Sequence, residues 1–205
     1  MRAMTVVSGA GWIGAAIATM AICACSSPEE GAVAAPRVYV GVAIDPEGEV
    51  SIALAVQDEL VAAFVCGRDP TEEEYPGWFT GRTPEAAAHL VKDDWGLRGE
   101  WSSDRAEATL VEPDGTELAW TGTRTAPDGL AGLYSAADSG CVTGVVVTED
   151  ADGAPVVRGA WCNAEGVVAQ VVPLMPVELV AGGLAVEVPL ATGTRRLFVE
   201  PIRLR

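Results

Sequence analysis

The chain contains one histidine, so any mechanism that needs an imidazole base must use it. That residue, His89, lies between three alanines and Leu90, a setting typical of a surface or packing residue. A serine or cysteine nucleophile usually needs such a base to accept its proton. The sequence also lacks the G-x-S-x-G, H-E-x-x-H and Walker motifs. We therefore expect no catalytic residues and predict that the protein is not an enzyme.

Acidic residues allow two other kinds of chemistry. Glycoside hydrolysis uses two carboxylates and no histidine, but among 29 Asp and Glu residues a suitable pair is expected by chance. The turn Asp150-Ala151-Asp152-Gly153 offers oxygen ligands for calcium, yet the EF-hand pattern needs Glu at its twelfth position, where this chain has Trp161. Zinc is disfavoured by the single histidine. We expect no metal and no cofactor, and a carboxylate-based hydrolase is our third hypothesis.

Tryptophan side chains are the remaining candidates for a binding surface. Those beyond the N-terminal region are Trp78, Trp95, Trp101, Trp120 and Trp161. Trp95 and Trp101 are six residues apart, so on one strand they face the same way. Together with Trp120 they are our candidate ligand-binding residues, because indole faces can hold sugars or lipids at the mouth of a barrel. The alternative is that they fill the core, where tryptophan is usually largely buried.

The first 24 residues have the composition of an export signal. Arg2 is their only charged residue, and a long apolar run follows it. Residues 3–24 are long enough to span a bilayer, which leaves an uncleaved anchor as the alternative. The run ends in Ile22-Cys23-Ala24-Cys25, which resembles the bacterial lipobox. The resemblance implies a signal peptide over 1–24 and a bacterial lipoprotein whose mature chain begins at a diacylated Cys25.

A lipid anchor implies a location in the cell envelope, outside the cytoplasm, with the membrane as a partner. Two acyl chains are enough for stable attachment, and residues 26–37 have the composition of a flexible tether. Ser26 stands where enteric lipoproteins retained in the inner membrane carry Asp, so we expect the outer membrane if the host has one. The mature chain has 12 basic and 29 acidic residues, a net charge of −17. This balance argues against nucleic acid, which is bound through Lys and Arg.

Cleavage would remove Cys23 and lipidation would occupy Cys25, which leaves the three thiols of Cys66, Cys141 and Cys162 in an oxidising compartment. Three thiols predict one disulfide and one remaining cysteine. Cys66 follows a continuous apolar run, Leu60 to Val65, and we expect it to be a buried small apolar residue.

The disulfide can be derived from a hairpin. If Thr148 faces Pro155 across the turn, Cys141 lies opposite Cys162, within reach of a disulfide. A turn that closes on Asp152 and Gly153 would shift the register by two and leave the pair diagonal. We predict the Cys141–Cys162 bridge, which closes a loop of some 20 residues and contributes about 3 kcal/mol in the chain-entropy model.

The elements that must position these residues are short strands. β-Branched runs alternate with Gly, Pro and Asp turns about every ten residues, which is typical of all-β sandwiches and barrels. We predict one all-β domain over residues 38–205, an antiparallel meander that is a barrel or barrel-like. The predicted strands are 38–44, 50–57, 60–66, 78–82, 96–102, 106–112, 117–124, 132–135, 142–149, 155–161, 167–172, 177–180, 184–189 and 196–203.

Two segments depart from the strand pattern. Thr83 is placed as an N-cap, Pro84 as the first helical residue and Glu85 in the first turn, which predicts one short helix ending at Lys92. The acidic segment before it, Arg68 to Gly77, is expected to be a solvated loop.

The mature part is similar to secreted β-rich proteins of GC-rich bacteria. The residues that carry this resemblance are Phe64-Val65-Cys66-Gly67, Ala131-Gly132-Leu133-Tyr134, Gly144-Val145-Val146-Val147 and Gly159-Ala160-Trp161-Cys162. Those proteins are uncharacterised, so the resemblance implies no activity. We expect a non-catalytic envelope module that binds a small molecule or a protein, with an accessory subunit of an envelope assembly as the alternative.

Overall fold

The described part of the chain folds into strands. A computed structural model describes residues 34–46, 48–67, 77–138 and 140–204, which contain sixteen strands and no helix. A search of these residues for an apolar helix long enough to cross a membrane finds none. The predicted signal peptide, Cys25 and residues 68–76 of the acidic segment lie outside the described residues.

The first eight strands form one antiparallel sheet, called here the first barrel. Its strands are β1 (Arg37–Ile44), β2 (Glu49–Gln57), β3 (Leu60–Cys66), β4 (Gly77–Arg82), β5 (Ala87–Lys92), β6 (Trp95–Trp101), β7 (Arg105–Val111) and β8 (Glu117–Arg124). Their order is β4-β3-β2-β1-β8-β7-β6-β5. The two ends of the sheet approach each other, and Gly81 of β4 lies against Leu90 of β5. The sheet is therefore a nearly closed up-and-down barrel.

The remaining strands form a second sheet of the same kind, the second barrel. They are β9 (Gly132–Asp138), β10 (Cys141–Glu149), β11 (Pro155–Cys162), β12 (Val168–Gln170), β13 (Val172–Pro173), β14 (Leu179–Val180), β15 (Gly183–Leu190) and β16 (Gly193–Pro201). The order is β12-β11-β10-β9-β16-β15-β13, and β14 pairs with β15. The predicted all-β, barrel-like meander is confirmed, with two barrels in the described part of the chain.

Side chains fill the interiors of both barrels. In the first barrel Tyr39, Phe79 and Trp120 are buried in one apolar cluster, and the Tyr39 hydroxyl donates to the Ser102 carbonyl at 2.6 Å. A second cluster, which includes Trp161, occupies the second barrel. Alternation along each strand directs every second residue inward. The large apolar residues of the strands therefore form two separate cores.

A third apolar cluster joins the two barrels. Strands β2 and β3 are buried on both faces, because their inward residues fill the first barrel while Ala53 and Phe64 face outward onto Leu133 and Val146 of the second. The ring of Phe64 lies over Gly144, so close that a Cβ there would be 2.6 Å from Phe64 Cζ. Glycine at this position thus allows an aromatic ring to seat directly on the neighbouring backbone.

The predicted helix over 83–92 is wrong. Residues 84–86 form a bend and 87–92 form β5, which pairs with β6 from Ala87–Glu100 to Lys92–Trp95. The Thr83 hydroxyl accepts from the Glu85 N–H at 3.2 Å and donates to the Ala87 carbonyl at 2.6 Å. The polar side chain that resembled a helix cap therefore stabilises a tight turn, and sheet pairing decides the segment that follows.

The β10–β11 hairpin is formed as predicted, but its register differs by one residue. Thr148 pairs with Val156, and Glu149 pairs with Pro155. The carboxylate of Asp150 accepts from the N–H groups of Asp152 and Ala154, each at 2.9 Å. These bonds close a loop of five residues, 150–154, whereas the predicted pairing required a loop of six. Because the loop is one residue shorter, the pairing of the two strands is shifted by one residue.

Candidate functional site

An open cleft lies between the two barrels. Its volume is about 990 Å³, at the upper end of the range found for small-molecule sites. One wall is the outer face of β3 and β4 in the first barrel, and the other is the end of β10 and β11 in the second. The cleft is therefore built where the barrels meet, outside both filled interiors.

Apolar side chains form most of the cleft surface. Ala62 and Phe64 contribute from the first barrel, Val142 and Ala160 from the second, and Ile202 from the segment that follows β16. Ile202 is held by its backbone N–H, which donates to the Leu133 carbonyl at 2.9 Å. Such a lining favours an apolar surface on whatever occupies the cleft.

Trp78 links the two walls. It stands on β4 beside Phe64, with 5.0 Å between the ring centroids, and its indole Nε1 donates to the Val142 carbonyl at 3.0 Å. The indole is half-buried, so its position is set by a hydrogen bond to one barrel and a ring contact within the other. A tryptophan held in this way presents a fixed apolar face.

The three tryptophans predicted to bind a ligand occupy different environments. Trp95 lines the cleft at the start of β6. Trp101 and Trp120 are 7% and 3% exposed and belong to the core cluster of the first barrel, against which Trp95 also packs. Trp78, which was one of the five candidate tryptophans but not one of the three selected, also lines the cleft.

A disulfide forms part of the second wall. Cys141 and Cys162 are bridged, with 5.8 Å between their Cα atoms, and both line the cleft. The predicted pair is therefore present although the register is shifted. The bridge is possible because the paired ladder of β10 and β11 ends at Gly144 and Ala160, and the strand ends beyond it are free to approach diagonally.

Cys66 is the remaining thiol among the described residues. It is 3% exposed in the apolar cluster between the barrels, as predicted. Burial raises the pKa of its thiol to about 12, against a smaller lowering by the Arg158 guanidinium. The neutral form is strongly favoured, so Cys66 is a packing residue and a poor nucleophile.

Charged groups lie at the rim of the cleft. The β5–β6 turn contributes Lys92, Asp93 and Asp94, and Arg203 follows Ile202 on the C-terminal segment. Asp93, Asp94 and Arg203 are exposed. The two carboxylates come from neighbouring residues of one turn and are not on opposite walls of the cleft. The rim therefore offers both signs of charge to the polar end of a ligand.

The histidine and the acidic turn considered as candidate sites in the sequence do not contribute to the cleft. His89 is exposed on β5, paired with Arg98 of β6, and does not line the cleft. The Asp150 carboxylate holds its own turn, as described above. Within the described ranges, no three His, Cys, Asp or Glu side chains are grouped in a way that could hold a metal ion. No protein-family model, curated protein sequence or solved structure matches the chain.

Proposed function

We propose that this chain is a non-catalytic, lipid-anchored protein of the cell envelope that binds a small apolar or amphipathic molecule between its two barrels. The observation that carries the proposal is the cleft of about 990 Å³ with indoles of Trp78 and Trp95 on its surface. A concave apolar site with a few polar groups is the usual form of a small-molecule site. Because both barrel interiors are filled, the cleft is where such a molecule has room.

The lining favours a ligand with an apolar body and a polar end. Aliphatic and aromatic side chains cover the middle of the cleft, where an apolar surface gains about 25 cal/mol per Å² removed from water. Lys92, Asp93, Asp94 and Arg203 lie at the rim, where a polar group can stay hydrated. The absence of catalysis is part of the proposal and is supported by the place of His89, which is exposed on β5 and is not among the residues that line the cleft.

Titration with a neutral apolar dye tests this proposal. N-phenyl-1-naphthylamine, whose emission rises in apolar surroundings, would be added to the oxidised protein. Val168→Asp places a charge on the cleft, whereas Val172→Asp makes the same change away from it. The two valines are 43% and 42% exposed, so the pair is matched for exposure and charge.

We expect saturable binding to the wild type and to Val172→Asp. Binding to Val168→Asp should be at least tenfold weaker, because the dye would cover the carboxylate at position 168, and removing an unpaired charge from water is costly. Equal loss in both variants, or no saturable binding to the wild type, would contradict the proposed site.

The lipid anchor is proposed from the lipobox-like sequence alone and needs its own test. Mass spectrometry of the purified chain should find an N-terminal Cys25 carrying acyl groups. Cys25→Ala should then release the protein from the membrane fraction. Retention of that variant, with Met1 still present, would mean that residues 3–24 act as the anchor.

A second candidate is an accessory subunit of an envelope assembly. It is favoured by large apolar side chains exposed on the second barrel, among them Met175, Val180 and Phe198 at 77%, 54% and 43%. Such groups are common at protein interfaces when they form a patch. Crosslinking in intact cells, with and without Phe198→Lys, separates the candidates, because loss of a defined partner in that variant alone would favour assembly.

A further inference from the structure

The β10–β11 ladder stops short of the strand ends. Its last pair is Gly144 with Ala160, and continuation of the same register would place Val142 opposite Cys162. Strand β10 nevertheless continues to Cys141 through its pairing with β9, and β11 continues to Cys162 through its pairing with β12. The two strand ends are thus each paired on one side and not paired with each other.

The side chain of Trp78 uses this interruption. In an antiparallel ladder a residue directs its N–H and C=O to the same side. The Val142 carbonyl accepts from Trp78 Nε1 at 3.0 Å, so it points away from β9, toward the side where β11 would take it if the ladder continued. The indole therefore holds an acceptor that the strand pairing leaves free.

The disulfide ties the two unpaired strand ends together. Cys141 and Cys162 are one residue out of register with each other, and their bridge at a Cα separation of 5.8 Å is a diagonal link in place of a regular pair. Cys162 Sγ lies 3.8 Å from the same Val142 carbonyl oxygen. The bridge, the carbonyl and the indole are therefore consecutive contacts that lead from β11 across to β4.

We propose that the Cys141–Cys162 disulfide regulates the cleft by positioning Trp78. The bridge fixes the strand ends in the interrupted arrangement that leaves the Val142 carbonyl to the indole. Once the bridge opens, β11 can extend its pairing with β10 and take that carbonyl, and Trp78 loses its fixed place on the wall. The inference rests on the proposed binding function of the cleft.

The reductant that the switch needs is a dithiol. A thiolate of the dithiol attacks one sulfur of the bridge, the S–S bond breaks and a mixed disulfide forms. The second thiol of the reductant then displaces the cysteine, so that two electrons and two protons pass to Cys141 and Cys162. The products are two cysteine thiols and the oxidised, cyclic disulfide of the reductant. Both cysteines are half-buried at the cleft surface, where a small dithiol can reach them.

The test measures dye affinity in four states of the protein. N-phenyl-1-naphthylamine is titrated into the wild type and into Trp78→Phe, each oxidised and each after reduction with dithiothreitol, with thiols counted by mass spectrometry after alkylation. Phenylalanine keeps an aromatic ring but has no N–H for the Val142 carbonyl. Loss of one hydrogen bond corresponds to about three- to tenfold in Kd. Cys141→Ser/Cys162→Ser is the control for effects of dithiothreitol on other parts of the protein.

We expect reduction to weaken binding to the wild type about three- to tenfold, and oxidised Trp78→Phe to bind as weakly as the reduced wild type. Reduction of Trp78→Phe should then have no further effect. Unchanged affinity in the fully reduced wild type, or additive effects of reduction and substitution, would overturn the switch and leave the binding site standing. Loss of the sheet signal in circular dichroism on reduction would also overturn it, because the bridge would then only stabilise the fold. Absence of saturable binding to the oxidised wild type would instead refute the proposed function.

Discussion

Substitution of Gly144 by alanine should show how much the contact between the two barrels contributes to the stability of the protein. Gly144 lies on β10, and Phe64 of the first barrel rests on it. An added Cβ would be 2.6 Å from Phe64 Cζ, whereas carbon atoms in contact normally lie 3.5–4.0 Å apart. The ring would have to move by about 1 Å or more.

The size of the expected destabilisation follows from the tight packing around the Phe64 ring. Phe64 is 2% exposed and is bordered by Trp78 at a centroid distance of 5.0 Å. Forcing an extra methyl group into such packing typically costs about 1–3 kcal/mol. For a domain of this size that cost lowers Tm by about 3–10 °C.

Gly96→Ala is the matched control. A Cβ at Gly96 would meet Val111 Cβ at 3.6 Å, an ordinary contact, so this variant should be as stable as the wild type or slightly more so. Thermal and urea unfolding of both variants, followed by tryptophan fluorescence, would measure the difference. If Gly144→Ala were as stable as Gly96→Ala, the two barrels would not pack through Phe64 and the described origin of the cleft would be wrong.

Three further predictions concern the cysteines and the histidine. Burial raises the pKa of the Cys66 thiol from 9.0 to about 12, so its contribution to stability is complete below pH 9 and is lost as the pH rises from 9 to 12. In urea unfolding, the free energy of unfolding should therefore fall less between pH 8 and pH 10 for Cys66→Ala than for the wild type. An equal fall in the two proteins would contradict the burial of the thiol. Replacing Cys141 and Cys162 together with serine should lower the free energy of unfolding by about 3 kcal/mol, and an unchanged urea midpoint would show that the loop is constrained without the bridge. His89→Ala should change the same quantity by less than about 0.5 kcal/mol and leave dye binding unaltered; a large loss of affinity would give this exposed residue a role that its position does not suggest.

Most strands could be predicted because a short β-branched run between turn residues is a local property of the sequence. The span 60–66 and the span 117–124 coincide with β3 and β8, since each has β-branched or aromatic residues between turn residues. The segment 83–92 could not be assigned in this way. Thr83 and Pro84 suit both a helix start and a bend, and only the pairing of residues 87–92 with β6 selects the strand.

The division into two barrels was not predictable from alternation, which does not say which strands share a sheet. A trace of it is nevertheless present in the sequence. A strand with one solvent-exposed face alternates between apolar and polar residues. Strands β2 and β3 are mostly apolar along their length instead, and such runs indicate burial on both faces. Here the second side is the other barrel, against which β2 places the small residues Ala53 and Ala55.

The disulfide could be predicted from the sequence, whereas the cleft could not. Cys141 and Cys162 could be paired because they flank one hairpin, even though Asp150 shortens the loop and shifts the ladder. The cleft depends on contacts between residues far apart in the chain, as Trp78 and Val142 are 64 positions apart. No local pattern predicts such a contact. Of the three tryptophans selected from the sequence, Trp101 and Trp120 belong to the core of the first barrel.

The claim that a small molecule binds between the barrels is tested by following the indole N–H resonances during titration with N-phenyl-1-naphthylamine. If the ligand binds in the cleft between the barrels, the signals of Trp78 and Trp95 should shift in proportion to occupancy, because their side chains line it. The signals of Trp101, Trp120 and Trp161, which are buried in the barrel interiors, should stay in place. Shifts confined to those three, or no shift of any indole at saturating dye, would contradict the claim.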